Sequence, residues 1–144
     1  MERVTGIGGV FFQSRDPERL YAWYEKHLGL KRDPASGGAA VMFRWRDDHE
    51  GNGMTVWSIF PENTTYFQPS QANFMINYRV ADLDALLEVL RQEGVEIDPK
   101  REDYDYGRFA WIMDPDGNRI ELWEPPAQGR HPVFARLVSV SRRP

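Results

Sequence analysis

The run Gly107-Arg-Phe-Ala-Trp-Ile-Met-Asp-Pro-Asp-Gly-Asn-Arg-Ile-Glu-Leu-Trp-Glu-Pro125 reads as strand, tight turn, strand, with one carboxylate, Glu121, set inside the second strand. Phe109 to Ile112 and Ile120 to Trp123 are rich in aromatic and β-branched residues, and Asp114-Pro115-Asp116-Gly117-Asn118 carries the turn chemistry that joins antiparallel strands. Alternation puts Arg119, Glu121 and Trp123 on one face of the second strand and Ile120, Leu122 and Glu124 on the other. A carboxylate that shares its face with an indole needs a metal, a ligand or an arginine, and function turns on which.

Working outward, the same grammar occurs twice. Ile7 to Gln13 is a short apolar run. Asp16 follows as a helix cap, with Pro17 at the first helical position and Leu20, Trp23, Tyr24 and Leu28 at helical spacing up to Gly29. Phe74 to Val80 is strand-like, Asp82 caps, Leu83, Leu86, Leu87 and Leu90 form a stripe, and Gly94 closes it. The spacing predicts helices over 17–28 and 83–93. Three strands are expected after each: a weak one near Lys31, Ala39 to Arg46 and Met54 to Phe60 in the first half, then Val95 to Ile97, Arg108 to Met113 and Arg119 to Trp123. The linker Pro61 to Asn73 is rich in Pro, Asn, Thr, Ser and Gln, and Asp47 to Gly53 is a polar hairpin loop. Two copies of some 65 residues are better read as paired half-domains than as a solenoid. A further strand is expected at Phe134 to Val140, in a basic tail.

Composition narrows the function. The 144 residues suit one domain with its own core. No apolar run approaches the roughly 18 residues of a spanning helix, and Met1-Glu2-Arg3 opens no secretory signal pattern, so the expected location is cytoplasmic, with no membrane partner. The absence of cysteine removes disulfides, thiolate nucleophiles and zinc-thiolate sites. Residues 1–126 hold all 22 acids and 14 of the 18 bases, a net of −8, which argues against nucleic acid. Gly6-Ile7-Gly8-Gly9 precedes its strand, where a phosphate-binding loop would follow one, and His27, His49 and His131 make no ligand pair.

The doubled strand, helix, three-strand pattern with its closing Asp-Pro-Asp-Gly-Asn-Arg-Ile-Glu-Leu-Trp-Glu-Pro segment resembles the vicinal oxygen chelate (VOC) superfamily of glyoxalase I, bleomycin resistance proteins and extradiol dioxygenases. The resemblance covers roughly residues 4 to 126. It implies an α+β fold of two tandem βαβββ modules, about 4–62 and 72–126, forming a curved, incomplete barrel-like mixed sheet within a single domain, 1–126, followed by the tail 127–144. It also implies a homodimer.

In enzymes of that superfamily, the resemblance further implies a divalent metal held by His, Glu or Gln from the first and last strands of each module. The matching first-strand positions, seven before each capping aspartate, are Gly9 and Met75; the last-strand positions, four before each closing proline, are Trp57 and Glu121. Glycine, methionine and tryptophan cannot hold a hard or borderline divalent ion, so neither metal nor cofactor is expected. What remains is an aromatic pocket with a few polar groups. Gly9, Phe11 and Gln13 from the first strand and Met75, Asn77 and Arg79 from its counterpart are expected to line it, with Phe43, Trp45, Trp57, Trp111 and Trp123 from the other strands. Arg108, beside Gly107, is placed at its edge with Tyr104 and Tyr106. Plain aromatic core is the structural alternative for the rings, and an ion pair with Arg79 or Arg108 is the alternative for Glu121.

Three functions stay open. The first is a bleomycin-resistance-like protein binding a small aromatic or apolar ligand without a catalytic metal. The second is a glyoxalase- or dioxygenase-like lyase or oxidoreductase using Glu121 as base or residual ligand. The third is a dimeric interaction module with a filled cavity.

Overall fold

In the computed structural model, residues 1–46 and 53–127 are described. The chain runs β1 (Val4–Ser14), α1 (Pro17–Leu28), a 3-10 turn (Pro34–Ser36), β2 (Val41–Arg44), β3 (Met54–Pro61), β4 (Phe74–Val80), α2 (Leu83–Gln92), β5 (Ile97–Tyr104), β6 (Gly107–Met113) and β7 (Arg119–Glu124). Both helices start where their caps are written. The Asp16 carboxylate accepts from the Arg19 amide at 3.2 Å and Asp82 from that of Ala85 at 3.0 Å, satisfying amides that have no partner within the helix. Gly29 ends α1 in the left-handed region that a side chain would strain (φ 68°).

One seven-stranded mixed sheet holds all the strands, in the order β2-β3-β1-β4-β7-β6-β5, and it is not closed into a barrel. Parallel pairs β1–β3 and β4–β7 meet at the antiparallel pair β1–β4, so β2-β3-β1 repeats as β6-β7-β4 within one chain. Both helices pack on one side. Leu83, Leu86 and Leu87 of α2 are buried with Ala110 and Leu122, each leucine contributing about 1.5–3 kcal/mol. Tyr21 and Tyr24 of α1 pack on Trp57. The opposite, helix-free side carries the larger core, with Phe11, Val56, Phe60, Met75, Phe109, Trp111 and Trp123.

Three strand expectations need correction. No strand forms near Lys31; the Asp33 carboxylate accepts from the Ala35 amide at 2.8 Å and Pro34 starts the 3-10 turn. The strand expected over Ala39 to Arg46 is confined to Val41–Arg44. β5 begins at Ile97, where the expected strand ended, and runs to Tyr104 through Lys100, Arg101, Glu102 and Asp103. Charges suit an edge strand, but they erase the apolar alternation by which a strand is recognised. Most of the loop Asp47 to Gly53 and the strand expected at Phe134 to Val140 lie outside the described residues. No helix among the described residues is long and apolar enough to cross a membrane.

Candidate functional site

Glu121 is the centre of the helix-free face. Strand alternation turns Arg119, Glu121 and Trp123 to that side together, and all three are buried, Glu121 with 0% of its surface exposed. Register supplies its neighbours: Asn77 of β4 stands beside it on one flank and Trp111 of β6 on the other. Asn77 Nδ2 donates to Glu121 Oε1 at 2.6 Å and Trp111 Nε1 to Oε2 at 3.0 Å. A third donor comes from outside the sheet, the Tyr66 hydroxyl, which bonds Oε2. Burial pushes the Glu121 carboxyl above the usual carboxylate range, and the bonds from Tyr66, Asn77 and Trp111 and the charge of Arg119 only partly pull it back.

Arg119 holds Tyr66 from the other end. Its Nη1 donates to the Tyr66 carbonyl and its Nη2 reaches Asp98 at 3.4 Å. The guanidinium lies 4.9 Å from the Trp111 ring centre and 5.8 Å from that of Tyr66, within range of a cation–π contact. Arg119 Nε is buried without a hydrogen-bond partner among the described residues. Tyr66 stacks on Phe60 at 5.9 Å and 15°, and Phe67 packs beside Phe60. Residues 66 and 67 of the linker thus fill the middle of this face.

The residues here do not fit the divalent metal that the fold family implies. All three partners of Glu121 turn N–H or O–H groups to it, and none of them is the carboxylate or imidazole that would share a divalent ion with it. The β1–β4 register shifts between Ile7 and Gly9, a bulge that aims both Gly8 and Gly9 at this face. A Cβ on Gly8 would stand 2.1 Å from Asn77 Oδ1, and one on Gly9 would stand 2.7 Å from the Phe11 ring. No group of three or more His, Asp or Glu suited to a metal occurs among the described residues.

The structure gathers Gly9, Phe11, Met75, Asn77, Trp111 and Trp123 around Glu121. Gln13, half-buried, lies farther along the same strand. Trp45 and Arg79 sit together near the start of β1: the Trp45 ring occupies the space a Cβ on Gly6 would need, and the Arg79 guanidinium lies 5.5 Å from it.

Three expected lining residues lie elsewhere. Trp57 faces the helices, against Phe12, Tyr21 and Tyr24, because Val56 takes the inward position beside Gly9. Phe43 is 46% exposed, and its neighbour Met42 packs against the core. Arg108 is exposed and pairs with Asp84 and Glu124, so it is no partner for Glu121; the nearby cation is Arg119. Tyr66 was missed as a site residue. Its signal was an aromatic pair, Tyr66-Phe67, inside an otherwise polar linker.

Comparison with known proteins adds a family. The profile of the Glyoxalase/Bleomycin resistance protein/Dioxygenase superfamily matches residues 6–122. A search of curated proteins gave no significant match. Among solved structures, the chain is similar to methylmalonyl-CoA epimerase from Mycobacterium tuberculosis (21% identity, TM-score 0.60, covering 88% of this chain and 92% of that one). It is also similar to a variant of Streptomyces coelicolor methylmalonyl-CoA epimerase in complex with 2-nitronate-propionyl-CoA (17%, 0.61, 86% and 99%). A third likeness is to NAD-dependent benzaldehyde dehydrogenase from Legionella pneumophila (16%, 0.55, 81% and 97%). At these identities the likeness concerns the fold alone.

Proposed function

The chain belongs to the Glyoxalase/Bleomycin resistance protein/Dioxygenase superfamily, and from that premise we propose that it binds a small aromatic molecule on the helix-free face of its sheet, anchored on Glu121 without a divalent metal. The observation that carries this reading is a fully buried carboxylate met by three neutral donors. Removing a carboxylate from water costs several kcal/mol, and an apolar side chain would fill the position at lower cost. A ligand N–H or O–H is suited to take the place of the one donor that the sheet does not supply. Asn77 and Trp111 then fix the carboxylate, Phe11, Met75 and Trp123 give apolar walls, and Arg119 stands beside the bound molecule. Gln13, Trp45 and Arg79 lie at the margins of the proposed site.

That a relative of the same fold is seen with 2-nitronate-propionyl-CoA supports a small-molecule role in general. Catalysis is the alternative within this site, since a carboxylate with a raised pKa is a better proton acceptor near neutral pH than an ordinary one. A second reading, a dimeric interaction module, draws on Tyr66 and Phe67, which fill the face. Homodimerisation belongs to the proposal in either case. It is supported by an apolar row on the outer side of β1 and β4, where Ile7 is 47% and Phe74 41% exposed.

Fluorescence titration of metal-stripped protein with aromatic alcohols and amines tests the reading, because the Trp111 indole bonds Glu121 directly. A saturable change in wild type, weakened in Glu121→Gln, is expected. Binding that requires added zinc, nickel, manganese or iron, or no saturable response to any donor ligand, contradicts it.

A further inference from the structure

The third donor to Glu121 is a phenol, and it reaches the carboxylate on a segment that takes no part in the sheet ladder. Around Tyr66 its backbone bonds close locally, Thr64 N to the Pro61 carbonyl, Gln68 N to that of Thr65 and Ser70 N to that of Phe67, and only at its end does the Asn73 carbonyl accept from Gln13 N of β1. Its docking on the face rests on side chains, chiefly Tyr66 and Phe67, and on the bond from Arg119 to the Tyr66 carbonyl. Removing Tyr66 from the face therefore unzips no strand pair.

The pocket around Tyr66 reads a whole molecule. Glu121 accepts from the hydroxyl, Phe60 stacks on the ring, Trp111 meets it edge-on at 6.1 Å and 88°, and Arg119 donates to the carbonyl on the far side. Resting on the small-molecule reading above, we propose that Tyr66 is a tethered stand-in for the ligand. The site then takes a 4-hydroxyphenyl compound bearing a carbonyl or carboxylate on a two-carbon spacer, which displaces Tyr66. The spacer follows from tyrosine itself, whose carbonyl carbon is separated from the ring by Cβ and Cα. A carboxylate improves on the carbonyl it replaces, because a charge-assisted bond to the Arg119 guanidinium is stronger than one to a neutral carbonyl.

The probes are 3-(4-hydroxyphenyl)propanoate, 3-phenylpropanoate, which lacks the hydroxyl, and 4-ethylphenol, which lacks the carboxylate. Each is titrated into wild type, Tyr66→Phe and Tyr66→Ala. Wild type is expected to bind the first probe saturably and each of the other two at least about tenfold more weakly, the usual range for a hydrogen bond to a charged group. Tyr66→Phe, which keeps the ring and frees Glu121 of its competitor, is expected to bind the first probe several-fold more tightly. Tyr66→Ala, with the tethered competitor removed, should gain at least about tenfold.

Equal affinity for 3-(4-hydroxyphenyl)propanoate and 3-phenylpropanoate overturns the inference and leaves the small-molecule reading standing. Binding to Tyr66→Ala alone, with none to wild type at millimolar probe, also overturns it, because the pocket would then be an artefact of truncation. No binding of any aromatic donor to any folded variant removes the inference and the reading together.

Discussion

The Tyr66 hydroxyl donates to the Glu121 carboxylate across 55 positions of sequence, from a linker to the centre of a strand. It seals a fully buried carboxylate among the apolar rings of the helix-free face.

Glu121 makes stability depend on pH in a particular direction. Its folded pKa lies above its unfolded value because burial penalises the charged form. Its contribution is therefore fully present below the unfolded glutamate range and is lost as pH rises through the raised folded value. Relative to wild type, Glu121→Gln should gain stability steadily as pH rises through that window. Gln is tolerated because its oxygen can keep the bonds from Tyr66 and Trp111, which share Oε2, while Asn77 turns its amide to accept from the new NH2 group. Urea melts from pH 4 to 8 read the difference; a gap between the two proteins that is flat or shrinks with pH refutes the assignment.

Arg119 should matter through Tyr66 more than through Asp98, which is only partly buried. Arg119→Met removes the bond to the Tyr66 carbonyl and the cation over two rings. A loss of about 3 kcal/mol is expected in chemical denaturation, the range for a buried charge interaction. A loss below about 1 kcal/mol would show that the guanidinium does not hold the linker.

Gly8 is expected to tolerate nothing larger. In Gly8→Ala the new methyl would overlap Asn77 Oδ1 and crowd Trp123, so Asn77 must leave Glu121, at a cost of about 2 kcal/mol. Asn77→Ala in the same chain should recover part of that loss, because the two sites share one contact. Strict additivity in the double-mutant cycle would place the strain elsewhere.

Light scattering at micromolar concentration should return twice the chain mass, since the exposed Ile7 and Phe74 row calls for a cover. Ile7→Asp should shift the protein toward monomer. A wild-type monomer contradicts the proposed dimer.

Much of the fold was legible because its signals are local. Asp16-Pro17 and Asp82 set the helix starts through side-chain caps, and the turn residues 114–118 set the hairpin that places Glu121. The faces of β2 and β3 were harder to read, since choosing between Val56 and Trp57 depends on which of them α1 covers. Tyr21 and Tyr24 settle that only in three dimensions. The bulge at Ile7 to Gly9 turns two successive glycines to one side, which strict alternation cannot anticipate. Tyr66 was illegible for a related reason: its partners, Glu121 and Arg119, lie more than fifty residues away, and no strand pairing brings it to them.

Calorimetric titration of the protein with 3-(4-hydroxyphenyl)propanoate in excess chelator, for wild type and Glu121→Gln side by side, tests metal-free binding on Glu121 most directly. Saturable binding by wild type that weakens at least about tenfold in Glu121→Gln is the predicted result. Binding that appears only when a divalent metal is restored, or that is unchanged by Glu121→Gln, would contradict it.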